Sequence, residues 1–204
     1  MNLYRLDPKI LLLGEHSYLD ATDECYFTDV YQCHHGTGIK SMVLALKHGR
    51  EPLVSSIAAQ LAALLPLAWA IAYTFVPMPS SGSASGVRAM VKQLPVSDCR
   101  DLLMQHGETP ASHAGWRTTP RQRQDLLAIN ELVADPRPER VVVVDDVLTT
   151  GAHFRAAKQV IRDRWRNIRV IGLFLARVGL RARNTCAESA NGAWPDCSRP
   201  QDLF

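Results

Sequence analysis

Apolar residues along this chain follow two rhythms. Ile39, Met42, Val43 and Leu46 fall on one helical face, and the stretch closes on Lys47-His48-Gly49, where glycine suits the residue after a helix. Pro52 fits the first turn of a second helix, with Leu53, Ile57, Leu61 and Leu64 or Leu65 as its buried face and Pro66 as its stop. Ala70–Val76 reads as a strand, closed by Pro77, which has no N–H for a ladder. Val87, Met90, Val91 and Leu94 predict a further helix, Cys99–Met104 a short strand, and Gln124–Glu131 another helix. Near the start, Tyr18, Leu19, Tyr26, Phe27, Val30 and Tyr31 point to short strands or a hairpin.

The densest signal is Arg140–Ala152. Val141–Val144 show no polar alternation, as expected of a strand buried on both faces in a parallel sheet covered by helices. Asp145 and Asp146 end the apolar run, and Thr149-Thr150-Gly151 leads into a helix from Ala152 to about Arg166, with Phe154, Ala157, Ile161 and Trp165 on one stripe. Val170–Val178 is a second buried strand. The pattern is therefore α/β, with a central, mainly parallel sheet flanked by helices. In such sheets ligands sit at the carboxyl ends of strands. Amides at a helix N-terminus, with the Thr149 and Thr150 hydroxyls, suit a phosphate, and Gly151 admits a backbone conformation closed to other residues. The two carboxylates would repel that phosphate at contact. They suit sugar hydroxyls or a hydrated Mg2+. Together these groups describe a site for ribose 5-phosphate.

The run Val141–Ala152 closely resembles the signature of the type I phosphoribosyltransferases, which bind phosphoribosyl pyrophosphate (PRPP). The resemblance spans roughly residues 40–178 and is nearest the ComF-like branch, without the cysteine-rich zinc element found at the N-terminus of many of its members. It implies the fold of that family, with a small hood over residues 1–36, a core over 37–180 and a tail over 181–204, in a single domain. It implies Mg2+-dependent transfer of ribose 5-phosphate to an acceptor such as a nitrogenous base, with release of pyrophosphate. Asp145 and Asp146 would then hold the ribose hydroxyls and, directly or through water, the Mg2+. Val147, Leu148, Thr149, Thr150, Gly151 and Ala152 would form the PRPP loop. Val76-Pro77-Met78-Pro79 matches the strand end that opens the pyrophosphate loop, which implicates Pro79, Ser80, Ser81, Gly82 and Ser83. The Arg-rich continuation of that loop is replaced here by Ser80–Gly86. Lys47 has two readings: a pyrophosphate contact by resemblance, or a lysine favourable at a helix C-terminus. The polar stretch Gln105–Arg123 has the position of the flexible loop that closes over PRPP, where His113 and Arg117 would meet the departing pyrophosphate.

Composition changes this picture little. The 204 residues, 47% apolar and 21% charged, suit one globular α/β domain, and a net charge of +3 does not indicate nucleic-acid binding. The five cysteines are odd in number, and Cys25, Cys33, His34 and His35 fit no zinc spacing, so reduced thiols in a cytoplasmic protein are expected. The apolar stretch Ile57–Val76 is interrupted by Gln60 and Pro66, so no membrane partner is expected. A homodimer is implied only by the resemblance. A phosphoacceptor receiver domain also ends a strand in an acidic pair, but places it early in the chain. A non-catalytic module that senses PRPP or a nucleotide and acts on a protein or DNA-linked partner is the alternative. The altered pyrophosphate loop and the basic clusters at Arg155–Arg169 and Arg177–Arg183 favour that alternative.

Overall fold

In the computed structural model, which describes residues 1–7, 9, 16–31, 37–79, 85–106 and 119–179, the valine run lies inside a six-stranded sheet. In chain order the elements are β1 (Tyr4–Arg5), β2 (Cys25–Tyr31), α1 (Thr37–His48), α2 (Glu51–Ala62), α3 (Leu67–Ala72), β3 (Thr74–Pro77), α4 (Gly86–Lys92), β4 (Asp98–Cys99) and β5 (Leu103–Gln105). They continue with α5 (Pro120–Gln124), β6 (Leu127–Ile129), a 3-10 turn (Glu131–Val133), β7 (Arg140–Leu148), α6 (Ala152–Arg164) and β8 (Arg169–Val178). The sheet order is β1-β2-β8-β7-β3-β4. Only the β1–β2 pairing is antiparallel. β5 and β6 form a separate antiparallel pair.

The valines explain why β7 is central. Val142 and Val144 point into a cluster with Leu46, Ile57 and Met90 from α1, α2 and α4. Val141 and Val143 point into a second cluster with Phe154, Ile161 and Trp165 on the α6 side. All four valines are 0–1% exposed. Each buried side chain of this size contributes roughly 1.5–3 kcal/mol. Phe154, Ala157, Ile161 and Trp165 are buried as one stripe, as their spacing requires.

Three segments differ from their sequence patterns. Pro66 caps a new helix rather than closing a region, so α3 precedes a strand that begins only at Thr74. Leu127–Ile129 is a strand, because it pairs with Leu103–Gln105; pairing partners distant in sequence override a short apolar run's own preference. The stretch Cys99–Met104 is divided between the main sheet and this pair. On α2, Val54 takes the buried position and Leu53 is 43% exposed.

The topology opens a crevice. From β3 the chain continues to β4 at the sheet edge, whereas from β7 it continues to β8 in the opposite direction. Connections that part between two neighbouring strands leave a cleft beyond their carboxyl ends. Met78 N donates to the Val144 carbonyl at 2.8 Å and holds the two strand ends together there. The helix on the far side of the loop after β3 is fixed by close approach. A Cβ on Gly86, the first residue of α4, would lie 2.2 Å from the Leu46 carbonyl oxygen of α1. Gly86→Ala is therefore expected to push α1 and α4 apart and to cost about 2 kcal/mol in urea denaturation. An unchanged midpoint would show that the helices do not meet at this point.

Candidate functional site

β7 runs past the valines, so Asp145 and Asp146 belong to the strand end rather than to a loop. The alternation of faces shifts by one residue across them: Val147 packs on the first cluster and Leu148 on the second. The aspartates hold this local irregularity. Asp146 N donates to Asp145 Oδ1 at 2.9 Å, and Val147 N donates to Asp146 Oδ1 at 2.7 Å. One oxygen of each carboxyl, Oδ1, thus accepts from the backbone amide of the next residue. Burial, with the neighbouring Asp146 charge, pushes the Asp145 pKa well above the usual carboxylate range, against a smaller pull from Arg123.

The loop between β7 and α6 is reduced to Thr149–Gly151. Gly151 has φ +83°, a left-handed conformation that few side chains tolerate, and a Cβ there would also lie 2.5 Å from the Leu19 side chain. Ala152 N reaches Thr150 Oγ1 at 3.4 Å, and Arg155 N closes the first helical turn on the Gly151 carbonyl at 3.0 Å. Among the described residues, no hydrogen bond uses the amides of Thr149, Thr150 or Gly151. They lie at the N-terminus of the 13-residue α6, where the helix dipole favours an anion.

Two polar side chains outside the sequence motifs, Arg123 and His153, join this corner. A small pocket is lined by Met78 and Pro79 beyond β3, Gln105 of β5, Arg123 of α5, Leu126 and Leu127 at β6, and His153 of α6. His153 Nδ1 lies 3.8 Å from Asp145 Oδ2. Half of the His153 side chain meets solvent, yet crowding of its inner edge and the Arg123 charge hold its pKa below the ordinary imidazole range. The ring faces both the crevice and solvent. Arg123 is half-buried, and its Nε has no hydrogen-bond partner among the described residues. Burial lowers its pKa, opposed by Asp145. A guanidinium remains charged in spite of this, so Arg123 brings a positive charge beside the aspartates. His153 directly follows the motif, so position alone could have flagged it. Arg123 ends the polar stretch Gln105–Arg123, and the pairing of Leu127–Ile129 with Leu103–Gln105 that sets it here has no local signal, since Gln124–Glu131 reads as helix.

The structure thus brings together Asp145, Asp146, Val147, Leu148, Thr149, Thr150, Gly151, Ala152 and Pro79 at the β3–β7 crevice. Lys47 is exposed in the last turn of α1, next to the Leu46 backbone that abuts Gly86. It therefore stands where the chain returns from the loop after β3. Ser80, Ser81, Gly82, Ser83, His113 and Arg117 lie outside the described residues. No group of three or more His, Cys, Asp or Glu side chains that could hold a metal occurs among the described residues, and no helix there is long and apolar enough to cross a membrane.

Four basic residues of the second half of the chain are paired with acidic neighbours. Arg155 pairs with Asp20 at 2.6 Å and Asp23 at 2.9 Å, and Lys158 pairs with Asp23 at 2.5 Å. Arg164 meets Glu131 at 3.1 Å, and Arg169 meets Glu24 at 2.7 Å. The Asp23 side chain is fully buried and that of Lys158 is 5% exposed. Asp23→Asn leaves a buried ammonium without its counter-charge and is expected to cost about 3 kcal/mol in urea denaturation. Asp23→Leu combined with Lys158→Met is expected to recover most of that loss. Equal losses in the two variants would mean that the pair is held by packing rather than charge.

Compared with models of known protein families and with curated proteins, the sequence matches none.

Proposed function

We propose that this chain is a phosphoribosyltransferase of the type I fold. It binds Mg2+ and PRPP and transfers ribose 5-phosphate to an acceptor, a nitrogenous base being the class considered, with release of pyrophosphate. The observation that carries the reading is one juxtaposition. Three uncommitted amides around a left-handed glycine, at a helix N-terminus, adjoin two strand-end carboxyls in the crevice between β3 and β7. A phosphate, then vicinal hydroxyls, is the ligand whose groups meet both in sequence.

Roles follow from chemistry. The Thr149–Ala152 amides and hydroxyls hold the 5-phosphate, with Val147 and Leu148 fixing the loop's departure from the strand. Asp145 and Asp146 accept hydrogen bonds from the ribose hydroxyls. The pyrophosphate extends toward Pro79 and the Ser80, Ser81, Gly82, Ser83 segment, with Lys47 at its return and Arg123 as a cation in the crevice wall. His113 and Arg117 close over it. In the reaction, the C1–O bond to pyrophosphate breaks and the bond to the nucleophile forms. The electron pair leaves with pyrophosphate, and the acceptor gives up its proton. In-line positioning and charge neutralisation supply the rate. Two adjacent carboxyls suit Mg2+, which keeps several waters and binds chiefly through substrate oxygens. When bound, the ion neutralises charge on the leaving group. A cytoplasmic setting and a homodimer belong to the same proposal.

The replaced Arg-rich loop favours a second reading, a sensor of PRPP or nucleotides. The pairing of Arg155, Arg164 and Arg169 with acidic neighbours argues against a nucleic-acid partner for that face.

Calorimetric titration with PRPP, with and without Mg2+, tests the reading. Asp145→Asn with Asp146→Asn is expected to lower PRPP affinity about 100-fold, two hydrogen bonds each worth about 1.5 kcal/mol being lost, with the circular dichroism spectrum unchanged. Unaltered affinity in that folded variant would remove the aspartates from the site. Arg123→Gln should weaken pyrophosphate binding about tenfold and leave ribose 5-phosphate binding as it was. Equal effects on both ligands would place Arg123 elsewhere. Pyrophosphate release with candidate bases then separates enzyme from sensor.

A further inference from the structure

The segment from His16 to Asp23 lies outside every motif and is the surface against which the Thr149–Gly151 loop is built. His16 is fully buried, and its Nδ1 donates to the Thr149 carbonyl. Tyr18 N donates to the next carbonyl, that of Thr150, at 3.0 Å. Leu19, 8% exposed, fills the space where a Cβ on Gly151 would stand. One turn into α6, Arg155 is tied to Asp20 and Asp23, and a turn later Lys158 is tied to Asp23. Asp20 N in turn donates to Asp23 Oδ2 at 3.0 Å, which closes the segment on itself.

The direction of these bonds matters. A peptide unit points its carbonyl and its amide in opposite directions. Two consecutive carbonyls drawn toward His16 and Tyr18 turn the amides that follow them, those of Thr150 and Gly151, away from the segment. An anion site of backbone amides needs its amides so turned, and creating that arrangement at the moment of binding costs conformational entropy at every residue fixed. Leu19 adds a steric limit on movement of the turn, and the ion pairs keep the first two turns of α6 in register with it.

We infer that residues 16–23 act as a positioning clamp, which holds the Thr149–Gly151 loop in its anion-receiving form before any ligand arrives. Affinity for the phosphate end of the substrate is then set by Leu19 and the Tyr18 backbone as well as by the loop's own residues. This rests on the phosphate-loop role proposed above and assigns residues 16–23 a task separate from selection of the acceptor.

The test uses the full chain and two probes that occupy different ends of the proposed site, ribose 5-phosphate and Mg2+-pyrophosphate, titrated calorimetrically beside urea denaturation. Leu19→Ala is expected to weaken ribose 5-phosphate binding tenfold or more, to leave pyrophosphate affinity within twofold, and to be restored by Leu19→Met. A purely structural role would lower both affinities together or neither, and either of those outcomes overturns the clamp. If Leu19→Ala does not fold, Arg155→Gln, which cuts the ties to Asp20 and Asp23, is judged by the same selectivity. Wild-type chain that is folded yet binds neither ribose 5-phosphate nor PRPP overturns the phosphate-loop role and the clamp with it. Wild-type binding that Leu19→Ala leaves intact overturns the clamp alone.

Discussion

A strand with apolar side chains on both faces has to lie inside a sheet that is covered on both sides. That constraint, imposed by Val141–Val144, organises this molecule. One valine pair requires α1, α2 and α4 on one face, and the other requires α6 on the opposite face. With β7 in the interior, its carboxyl end emerges in the middle of an edge of the sheet rather than at a corner. The polar residues that follow are then surrounded by the ends of β3 and β8 and by the start of α6. Burial on this scale is also what raises the Asp145 pKa, since the same walls that exclude water from the valines partly exclude it from the first carboxyl.

The parts of this arrangement that could be read from sequence are those encoded locally. Continuous valines, a helical stripe and a glycine with no tolerable substitute each carry their meaning within a dozen residues. Pro66 was ambiguous because proline both ends one helix and begins another. Leu127–Ile129 was misread because its strand character comes from Leu103–Gln105, which no local pattern announces. Arg123 and the His16–Asp23 segment escaped for the same reason. Their roles depend on contacts made across the fold: Tyr18 and Leu19 read locally as part of a short strand or hairpin, and they instead lie in a turn segment packed on the Thr149–Gly151 loop.

The electrostatics of the site are mixed rather than uniformly positive. Among the described residues, two carboxyls, an imidazole and a guanidinium share the crevice. Many other cations of this half of the chain are already neutralised by Asp20, Asp23, Glu24 and Glu131. The described part of the site thus does not present a uniformly attractive field to anions. It selects among them at contact, through amide geometry and through groups that tolerate hydroxyls beside phosphate.

The pairing of β2 with β8 joins residues 25–31 to 172–178, and the contacts of His16 and Tyr18 reach Thr149 and Thr150 across a similar span. Contacts so far apart in sequence form late, because the whole intervening chain must first be confined. During synthesis the Val141–Ala152 motif would leave the ribosome complete in sequence while β8, its neighbour in the sheet, had yet to appear. A nascent chain of that length carries the signature without the site, and competence to bind would arrive only when β8 closes between β2 and β7.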